Sequence, residues 1–269
     1  PGFTLAGLAV AGMLLGFNWN LVDAIYTYVF ASVVALAFAY HNWHHSIGTG
    51  PVTHIHHGVL LRSGIPLLLA TSASMLLSWT DTLVLGVFRT DEEVGVYSVV
   101  ARTALLSNLV LVAVNSIAAP KFAALYASNQ LDHLAKLAQQ ATLLMTVIVA
   151  PPTALLIFWP EFVLSIFGEQ YVGGGDALTL LALGQFINVA SGSVGYLLSM
   201  TGGEKTMRNV LVTCAILNFA LSLLLVNDFG VEGVAAASAL SMALWNLWMM
   251  WLVKRDLGFS TFPYNLRLT

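Results

Sequence analysis

Histidine is the most concentrated chemically reactive residue type in the sequence. Six of the seven histidines fall in two short clusters: His41, His44 and His45 in HNWHH, then His54, His56 and His57 in HIHH. Imidazoles at such spacing can ligate iron or zinc. However, residues 41–64 contain no carboxylate that could bridge two metal ions, and His133 lies far along the chain. We therefore expect a solvated loop here, with a metal site as the less favoured alternative.

Asp81 and Arg102 are charged residues inside otherwise apolar runs. An ionisable group at membrane depth is costly and usually faces a cavity or a partner. Counted from the predicted helix ends at 1.5 Å per residue, both side chains lie roughly 10 to 12 Å deep on consecutive helices. We therefore expect them to form an ion pair. Two roles are open: a pair that only fixes helix packing, or charges that meet a charged substrate or take part in coupling.

Amide side chains recur at helical spacing in two other apolar runs. Asn108 and Asn115 are seven residues apart, and Gln185 and Asn188 are three apart. Close packing of membrane helices accounts for many such residues, but two buried amides on one helix face need several partners, which a wet cavity would supply. The predicted cavity residues are therefore Asp81, Arg102, Asn108, Asn115, Gln185 and Asn188.

The composition decides what kind of protein positions these residues. Of 269 residues, 58% are hydrophobic and 9% are charged, whereas a soluble domain has about 25% charged residues. This excludes a soluble enzyme and a disordered chain. The formal net charge of −3 gives no polybasic surface for nucleic acid or anionic lipid, and the single cysteine, Cys214, excludes a disulfide framework. The sequence predicts an all-α integral membrane protein.

Membrane-spanning helices need about 20 mostly apolar residues, and the chain offers about eight such runs. They are predicted at residues 2–17, 21–40, 65–88, 94–118, 137–159, 177–200, 207–227 and 232–253. Pro66 is expected to begin one helix, Pro120 to end another, and Pro151-Pro152 to bend a third. The predicted domain organisation is a hairpin (1–40), a histidine-rich linker (41–64), a six-helix lobe (65–255) and a tail (256–269).

Basic residues predict the orientation, because cytoplasmic loops of membrane proteins carry an excess of Lys and Arg. One side of the predicted membrane has only Arg89. The opposite side collects Arg62, Lys121, Lys136, Lys205, Arg208, Lys254, Arg255 and Arg267. The linker and the C-terminus are therefore expected in the cytoplasm, with Lys205 and Arg208 at the cytoplasmic mouth of the cavity. Since the chain opens with Pro1 and lacks a basic n-region, Phe3–Gly16 is expected to be the remainder of an earlier span rather than a signal peptide.

A series of short motifs appears in order from Arg62 to Phe259: RSGIPLLL, WTDTLVLGVF, EEVGVYSVVART, APKFAALY, IFGEQY, LLSMTGGEK, and the stretch from Asn218 through GVEGVAAASALS. Their order and spacing resemble the polysaccharide-exporter branch of the multidrug/oligosaccharidyl-lipid/polysaccharide (MOP) flippase superfamily. That branch includes the Wzx-type O-antigen flippases, and its relatives include the lipid II flippase and the MATE exporters.

The resemblance implies two pseudo-symmetric six-helix lobes with an alternating-access cavity between them. This chain would supply the C-terminal lobe and the last hairpin of an N-terminal lobe that is otherwise missing. The implied protein is not an enzyme. It would flip a polyprenyl-pyrophosphate-linked oligosaccharide across a bacterial or archaeal cytoplasmic membrane, in polysaccharide or lipopolysaccharide biosynthesis. Its expected partners are this substrate and the surrounding membrane lipid, and it is not expected to bind nucleic acid. The resemblance implies no cofactor, and coupling to H⁺ or Na⁺ is left open.

Two alternatives stay open. A cation-coupled drug exporter would have the same fold, although Arg102 argues mildly against a cationic cargo. A membrane di-iron hydroxylase or desaturase would use HNWHH and HIHH. Such enzymes gather histidines from boxes separated by membrane hairpins, whereas both clusters here share one short segment.

Overall fold

A computed structural model describes residues 21–46 and 79–262, and within these ranges every regular element is helical. This confirms the all-α prediction, while the count of eight spans stays a prediction. The chain forms two compact units that divide between Pro66 and Leu67. Predicted span 2–17 and the residues around Pro66 lie outside the described ranges.

Helix α1 (Leu21–Ser46) belongs to the first unit. It continues six residues past the predicted end at residue 40, because no glycine or proline interrupts the sequence before Gly48. The HNWHH cluster is therefore helical, and the prediction that residues 41–46 belong to a loop is wrong. Positions 41, 44 and 45 share one helix face.

Helices α2 (Trp79–Phe88) and α3 (Asp91–Leu105) form the first hairpin of the second unit. The predicted turn at residues 89–93 is confirmed by a capping box. The Thr90 side chain accepts a hydrogen bond from the Glu93 backbone N–H at 3.3 Å, and the Glu93 carboxylate accepts one from the Thr90 N–H at 3.1 Å. Two backbone donors that a helix start leaves free are satisfied in this way.

Helix α4 (Asn108–Ala127) follows α3 after a bend at residues 106–107. Both bend residues keep right-handed helical angles, and the hydrogen bonds tighten to an i to i+3 pattern. The predicted span 94–118 therefore covers two helices, most of α3 and the first half of α4, which meet at this bend. Pro120 lies inside α4, so the prediction that it closes the helix is wrong. A proline removes one backbone donor, and α4 continues to Ala127 despite that loss.

Helix α5 (Leu131–Phe158) contains Pro151 and Pro152, as the sequence predicts. A buried contact of 3.3 Å joins Ser107 Oγ, in the α3–α4 bend, to Thr153 Oγ1 beside the proline pair. Two weakened points of adjacent helices thus lie together. Helix α6 (Pro160–Ser165) and a 3₁₀ turn (Glu169–Gly174) then form the connection that the sequence places outside the membrane.

The predicted span 177–200 is interrupted. Helices α7 (Gly175–Ala190) and α8 (Val194–Met200) are separated by a break at residues 191–193, where Gly192 has φ +80°. The start of the C-terminal tail folds back onto this break. Thr261 is fully buried and donates a hydrogen bond of 2.8 Å to the Ser191 carbonyl.

The segment Glu204–Leu257 contains the last two helices, α9 (residues 204–229) and α10 (residues 231–257). They meet at Gly230, whose φ of 57° and ψ of −131° are not helical. Arg89 closes this end of the hairpin. Its guanidinium donates to the carbonyls of Val226, at 3.0 and 2.5 Å, and of Asn227, at 3.0 Å. These are carbonyls that the last turn of a helix leaves free.

Two apolar clusters form most of the core of this unit. One joins α2 and α3 to α7 and α10 through Leu85, Val100 and Leu178. The other joins α4, α5 and α8 to the far ends of α9 and α10 through Phe122, Leu134 and Leu197. Among the described residues, four helical segments are long and apolar enough to cross a membrane: Asn108–Ala127, Leu131–Phe158, Glu169–Ala190 and Glu204–Leu257.

Candidate functional site

Asp81 is the centre of a polar cluster in this apolar unit. It lies two residues after the described start of α2 and seven residues before Phe88, so it is roughly 10 Å from the Phe88 end of the helix. The Tyr97 hydroxyl, from α3, donates a hydrogen bond of 2.6 Å to Asp81 Oδ2. Tyr97 itself is 2% exposed. The hairpin connection at residues 89–90 places these two side chains at the same depth.

The α9–α10 hairpin supplies the other partners of this carboxylate. Ser238 Oγ donates to Asp81 Oδ2 at 2.6 Å, and Asn218 Nδ2 donates to Asp81 Oδ1 at 3.3 Å. A contact of 3.3 Å between Ser238 Oγ and Asn218 Oδ1 closes the group. We call Asp81, Tyr97, Asn218 and Ser238 the Asp81 cluster. It joins four helices, α2, α3, α9 and α10, through one acidic side chain.

All three donors to Asp81 are neutral. Moving a carboxylate out of water without a counter-charge is costly, even when hydrogen bonds remain. A bound proton or a small cation would remove that cost. Carboxylate, amide and hydroxyl oxygens are the ligand types that hard cations prefer, and Asp81, Asn218 and Ser238 offer all three. Among the described residues, by contrast, no three His, Cys, Asp or Glu side chains are grouped to bind a metal.

Two further buried hydroxyls flank the cluster. Ser222 lies one turn from Asn218 on α9, and Ser241 lies one turn from Ser238 on α10. Both are 0% exposed, and neither hydroxyl has a hydrogen-bond partner within the described part of the chain. A buried hydroxyl without a partner costs free energy, so this part of the hairpin offers polar atoms beyond those that Asp81 uses.

Arg102 does not pair with Asp81, so the predicted ion pair is wrong. Tyr97 points at Asp81, and Arg102 is five residues further along α3, about 140° around the helix. Its side chain is consequently exposed, on another face of α3. Position around the helix, rather than distance along it, decides which residue of α3 reaches the carboxylate.

Among the four predicted amides, the structure shows one hydrogen bond within the described residues. Gln185 and Asn188, on α7, contact each other through Asn188 Nδ2 and Gln185 Oε1 at 3.3 Å. Asn115 is 1% exposed on α4, and neither of its amide atoms has a partner among the described residues. Asn108 Oδ1 is likewise buried without a described partner. None of these four amides hydrogen-bonds to Asp81, whose described side-chain partners are Tyr97, Asn218 and Ser238.

The basic residues predicted at the cytoplasmic mouth lie in the first two turns of α9. Lys205 and Arg208 are both exposed there. His41, His44 and His45 lie in the last two turns of α1, whereas the HIHH residues His54, His56 and His57 lie outside the described ranges.

Sequence reasoning missed Asn218 and Ser238 as partners of Asp81. They are 137 and 157 residues from Asp81 along the chain, so local spacing gives no indication of the contact. A signal was present for Asn218, since it is an amide within a long apolar run and a buried amide needs a partner. Ser238 lies among small residues in GVEGVAAASALS and carries no such signal.

Comparison with known protein families gives two matches. The MatE family model matches residues 66–224, which is more than half of the chain. The model described as "Polysaccharide biosynthesis protein" matches residues 3–126. The two matches overlap on α2, α3 and most of α4, so they converge on the helices that carry Asp81 and Tyr97.

Curated relatives come from the archaeon Haloferax volcanii. The chain is 25% identical over 168 residues to the "probable low-salt glycan biosynthesis flippase Agl15", and 24% identical over 171 residues to the "probable flippase AglR". Each alignment covers 62% of this chain and 36% of the relative. The chain thus spans little more than a third of the length of these relatives. No solved structure matches it.

Proposed function

The chain belongs to the MatE family and is a multi-pass membrane protein, and from this premise we propose that it functions as part of a glycan-lipid flippase. The proposed substrate is a polyprenyl-pyrophosphate-linked oligosaccharide, moved from the cytoplasmic to the outer leaflet. The flippase names of two relatives and the match to a polysaccharide biosynthesis model support this assignment. A transporter lobe also accounts for a chain in which only 9% of residues are charged.

The observation that carries the mechanism is the Asp81 cluster. A proton or Na⁺ bound at Asp81 would compensate the buried charge. Without it, the carboxylate depends on donors from α3, α9 and α10. Occupancy therefore changes how firmly the α2–α3 hairpin is held against the α9–α10 hairpin. A ligand shifts a conformational equilibrium by its differential affinity for the two states, so a cation that prefers one arrangement of these hairpins can drive transport.

Exposed cations would handle the diphosphate of the substrate. Arg102 faces outward from α3 and is not engaged by Asp81, so its guanidinium is available to phosphate oxygens. Arginine suits such a role because its planar fork can donate two parallel hydrogen bonds. Lys205 and Arg208 are exposed at the start of α9, where the proposed orientation places the cytoplasmic surface.

Deleting the gene that encodes this chain tests the assignment. We expect lipid-linked oligosaccharide to accumulate in the cytoplasmic leaflet, where a glycosidase added to intact cells cannot reach it. The wild-type gene should restore the distribution, and an Arg102→Gln version should restore it less well than the matched Lys121→Gln version, since Lys121 is also exposed.

Two outcomes would overturn the assignment. An unchanged glycan lipid together with altered sensitivity to cationic compounds would indicate a drug exporter instead. Stoichiometric iron in the purified protein, with loss of a lipid oxidation product on deletion, would indicate the histidine-dependent membrane enzyme.

A further inference from the structure

A groove runs between α9 and α10 at the end of the hairpin opposite Gly230. On α9 it is lined by Thr206, Asn209, Val210 and Thr213, which recur at intervals of three, one and three residues. This is one stripe of an α-helix. Thr206 and Thr213 are seven residues apart, so the stripe is about 10 Å long. The groove has a volume of about 310 Å³.

The facing wall has the same spacing on α10. Trp248, Trp251, Leu252 and Arg255 form its stripe. Because the two helices are antiparallel, Arg255 lies level with Thr206 at the end of the hairpin, and Trp248 lies level with Thr213 further in. The floor is apolar and closed, since Val210 is 2% exposed and Leu252 is 3% exposed.

The two ends of this groove differ in chemistry. The part nearer Gly230 offers the Trp248 ring and one hydroxyl, from Thr213, above an apolar floor, whereas the mouth offers a guanidinium, a hydroxyl and an amide. Trp251 connects the ends, because it is 56% exposed and the Arg255 guanidinium lies 5.2 Å from its ring centroid. Tryptophan with an adjacent basic residue is typical of the membrane–water interface. The groove thus has the polarity of a phospholipid, with a charged head and an apolar chain.

Charge at the mouth favours an anionic head. Lys205, Arg208 and Lys254 are exposed around Arg255, while Glu204 and Asp256 are the acidic neighbours. Asp256 contacts Arg255 through an ion pair of 2.6 Å. A second bond of 3.1 Å joins Arg255 Nη2 to Asp256 Oδ2. The two side chains are 52% and 38% exposed, so water weakens the pair and a phosphate can compete for the guanidinium. Although the whole chain has a formal net charge of −3, this end of the hairpin has more basic than acidic side chains.

We propose that this groove binds one anionic phospholipid of the surrounding leaflet, with its phosphate at Arg255, Thr206 and Asn209 and an acyl chain along Trp248 and Val210. Basic pockets between membrane helices on the cytoplasmic side are suited to such headgroups. The site is separate from the Asp81 cluster and does not depend on the proposed transport activity. Its occupant would brace α9 against α10 at the end that lacks the Gly230 connection.

Native mass spectrometry of the purified protein with added phosphatidylglycerol or phosphatidylcholine tests this proposal. We expect phosphatidylglycerol to bind about fivefold more tightly than phosphatidylcholine, which is the preference that one basic residue near a membrane surface confers. Arg255→Gln should remove the preference. Trp248→Ala should weaken both lipids together, because this ring lies along the proposed acyl chain and not at the headgroup.

Lys254→Gln is the matched control. It removes the same charge from the adjacent exposed position, which does not line the groove, and should lower the preference clearly less than Arg255→Gln does. Equal losses in Lys254→Gln and Arg255→Gln would overturn the proposal by showing general charge attraction. A dimer that excludes both lipids would overturn it by showing that a second copy of the chain covers the groove.

Discussion

Asp81 accepts hydrogen bonds from a phenol, an amide and a hydroxyl, each on a different helix. Three neutral donors can orient a carboxylate, but they do not cancel its charge, and at membrane depth an uncompensated charge is costly. A structural role alone would be served as well by an uncharged side chain. This acidic group supports the proposal that a cation arrives at Asp81 and leaves it, as coupling requires.

Removing one donor tests how the cluster holds the helices together. Tyr97→Phe deletes the hydroxyl that contacts Asp81 and should lower the free energy of unfolding by about 1 to 3 kcal/mol, the usual range for losing a hydrogen bond to a charged partner. Thermal unfolding in detergent measures the change. Tyr126→Phe, at a 40% exposed position on α4, is the matched control and should have no effect. Equal stability of the two variants would show that the Tyr97 contact does not hold α3 to α2.

Breaks and bends in the helical segments determine how these helices pack against one another. Gly230 allows α9 and α10 to reverse direction without a loop, since its φ of +57° with ψ of −131° is open only to glycine. A Cβ at this position would also lie 3.3 Å from Arg89 Nη2. One residue therefore fixes the hairpin that brings Asn218 to Ser238, and it does so beside the arginine that caps α9.

Gly230→Ala should consequently destabilise the protein by about 1 to 3 kcal/mol, the cost of a residue held in a disfavoured backbone region. Gly86→Ala is the matched control. Gly86 lies on the exposed face of α2, where an added methyl group would meet no atom within 4 Å, so alanine there should raise stability by up to about 1 kcal/mol. Thermal unfolding of the two variants should shift in opposite directions. A Gly230→Ala protein as stable as wild type would contradict the account of the hairpin.

The sequence was a good guide to apolar runs and a poor one to what interrupts them. The gaps between predicted spans at residues 89–93 and 228–231 contain the two hairpin connections, which the structure places at residues 89–90 and at Gly230. The bend at residues 106–107 has no glycine or proline to indicate it. Pro120, by contrast, predicts a helix end that the structure does not have, because α4 continues through this residue. The bend coincides with a contact between Ser107 and Thr153, two residues that lie far apart along the chain, so local sequence does not indicate it.

At the scale of the whole molecule, the distribution of basic residues predicts which ends of the helices face the cytoplasm. The structure brings Arg89 to the carbonyls of residues 226 and 227, so two connections predicted on the outer side do lie together. Gln139, at the predicted inner end of the span 137–159, donates a hydrogen bond of 3.0 Å to the Ser260 carbonyl of the tail, which is predicted on the same side. These contacts agree with one consistent alternation of the helices.

Cysteine labelling checks the orientation in cells. In a Cys214→Ser background, which removes the single native cysteine, Glu92→Cys should react with a membrane-impermeant maleimide added to intact cells. Ser128→Cys, in the connection between α4 and α5, should react only after permeabilisation. Both positions are exposed, so accessibility within the protein is matched. The reverse pattern would contradict the orientation, and with it the proposed direction of flipping.

The central claim is that Asp81 couples a cation to movement of a glycan lipid. Its most direct test is the flipping rate in proteoliposomes with and without an imposed H⁺ or Na⁺ gradient, compared between Asp81→Asn and the exposed control Asp91→Asn. The account predicts that one gradient accelerates wild type and Asp91→Asn by about tenfold, within the usual range of coupling free energies, and leaves Asp81→Asn unchanged. Asp81→Asn protein that responds to the gradient as wild type does would contradict the claim.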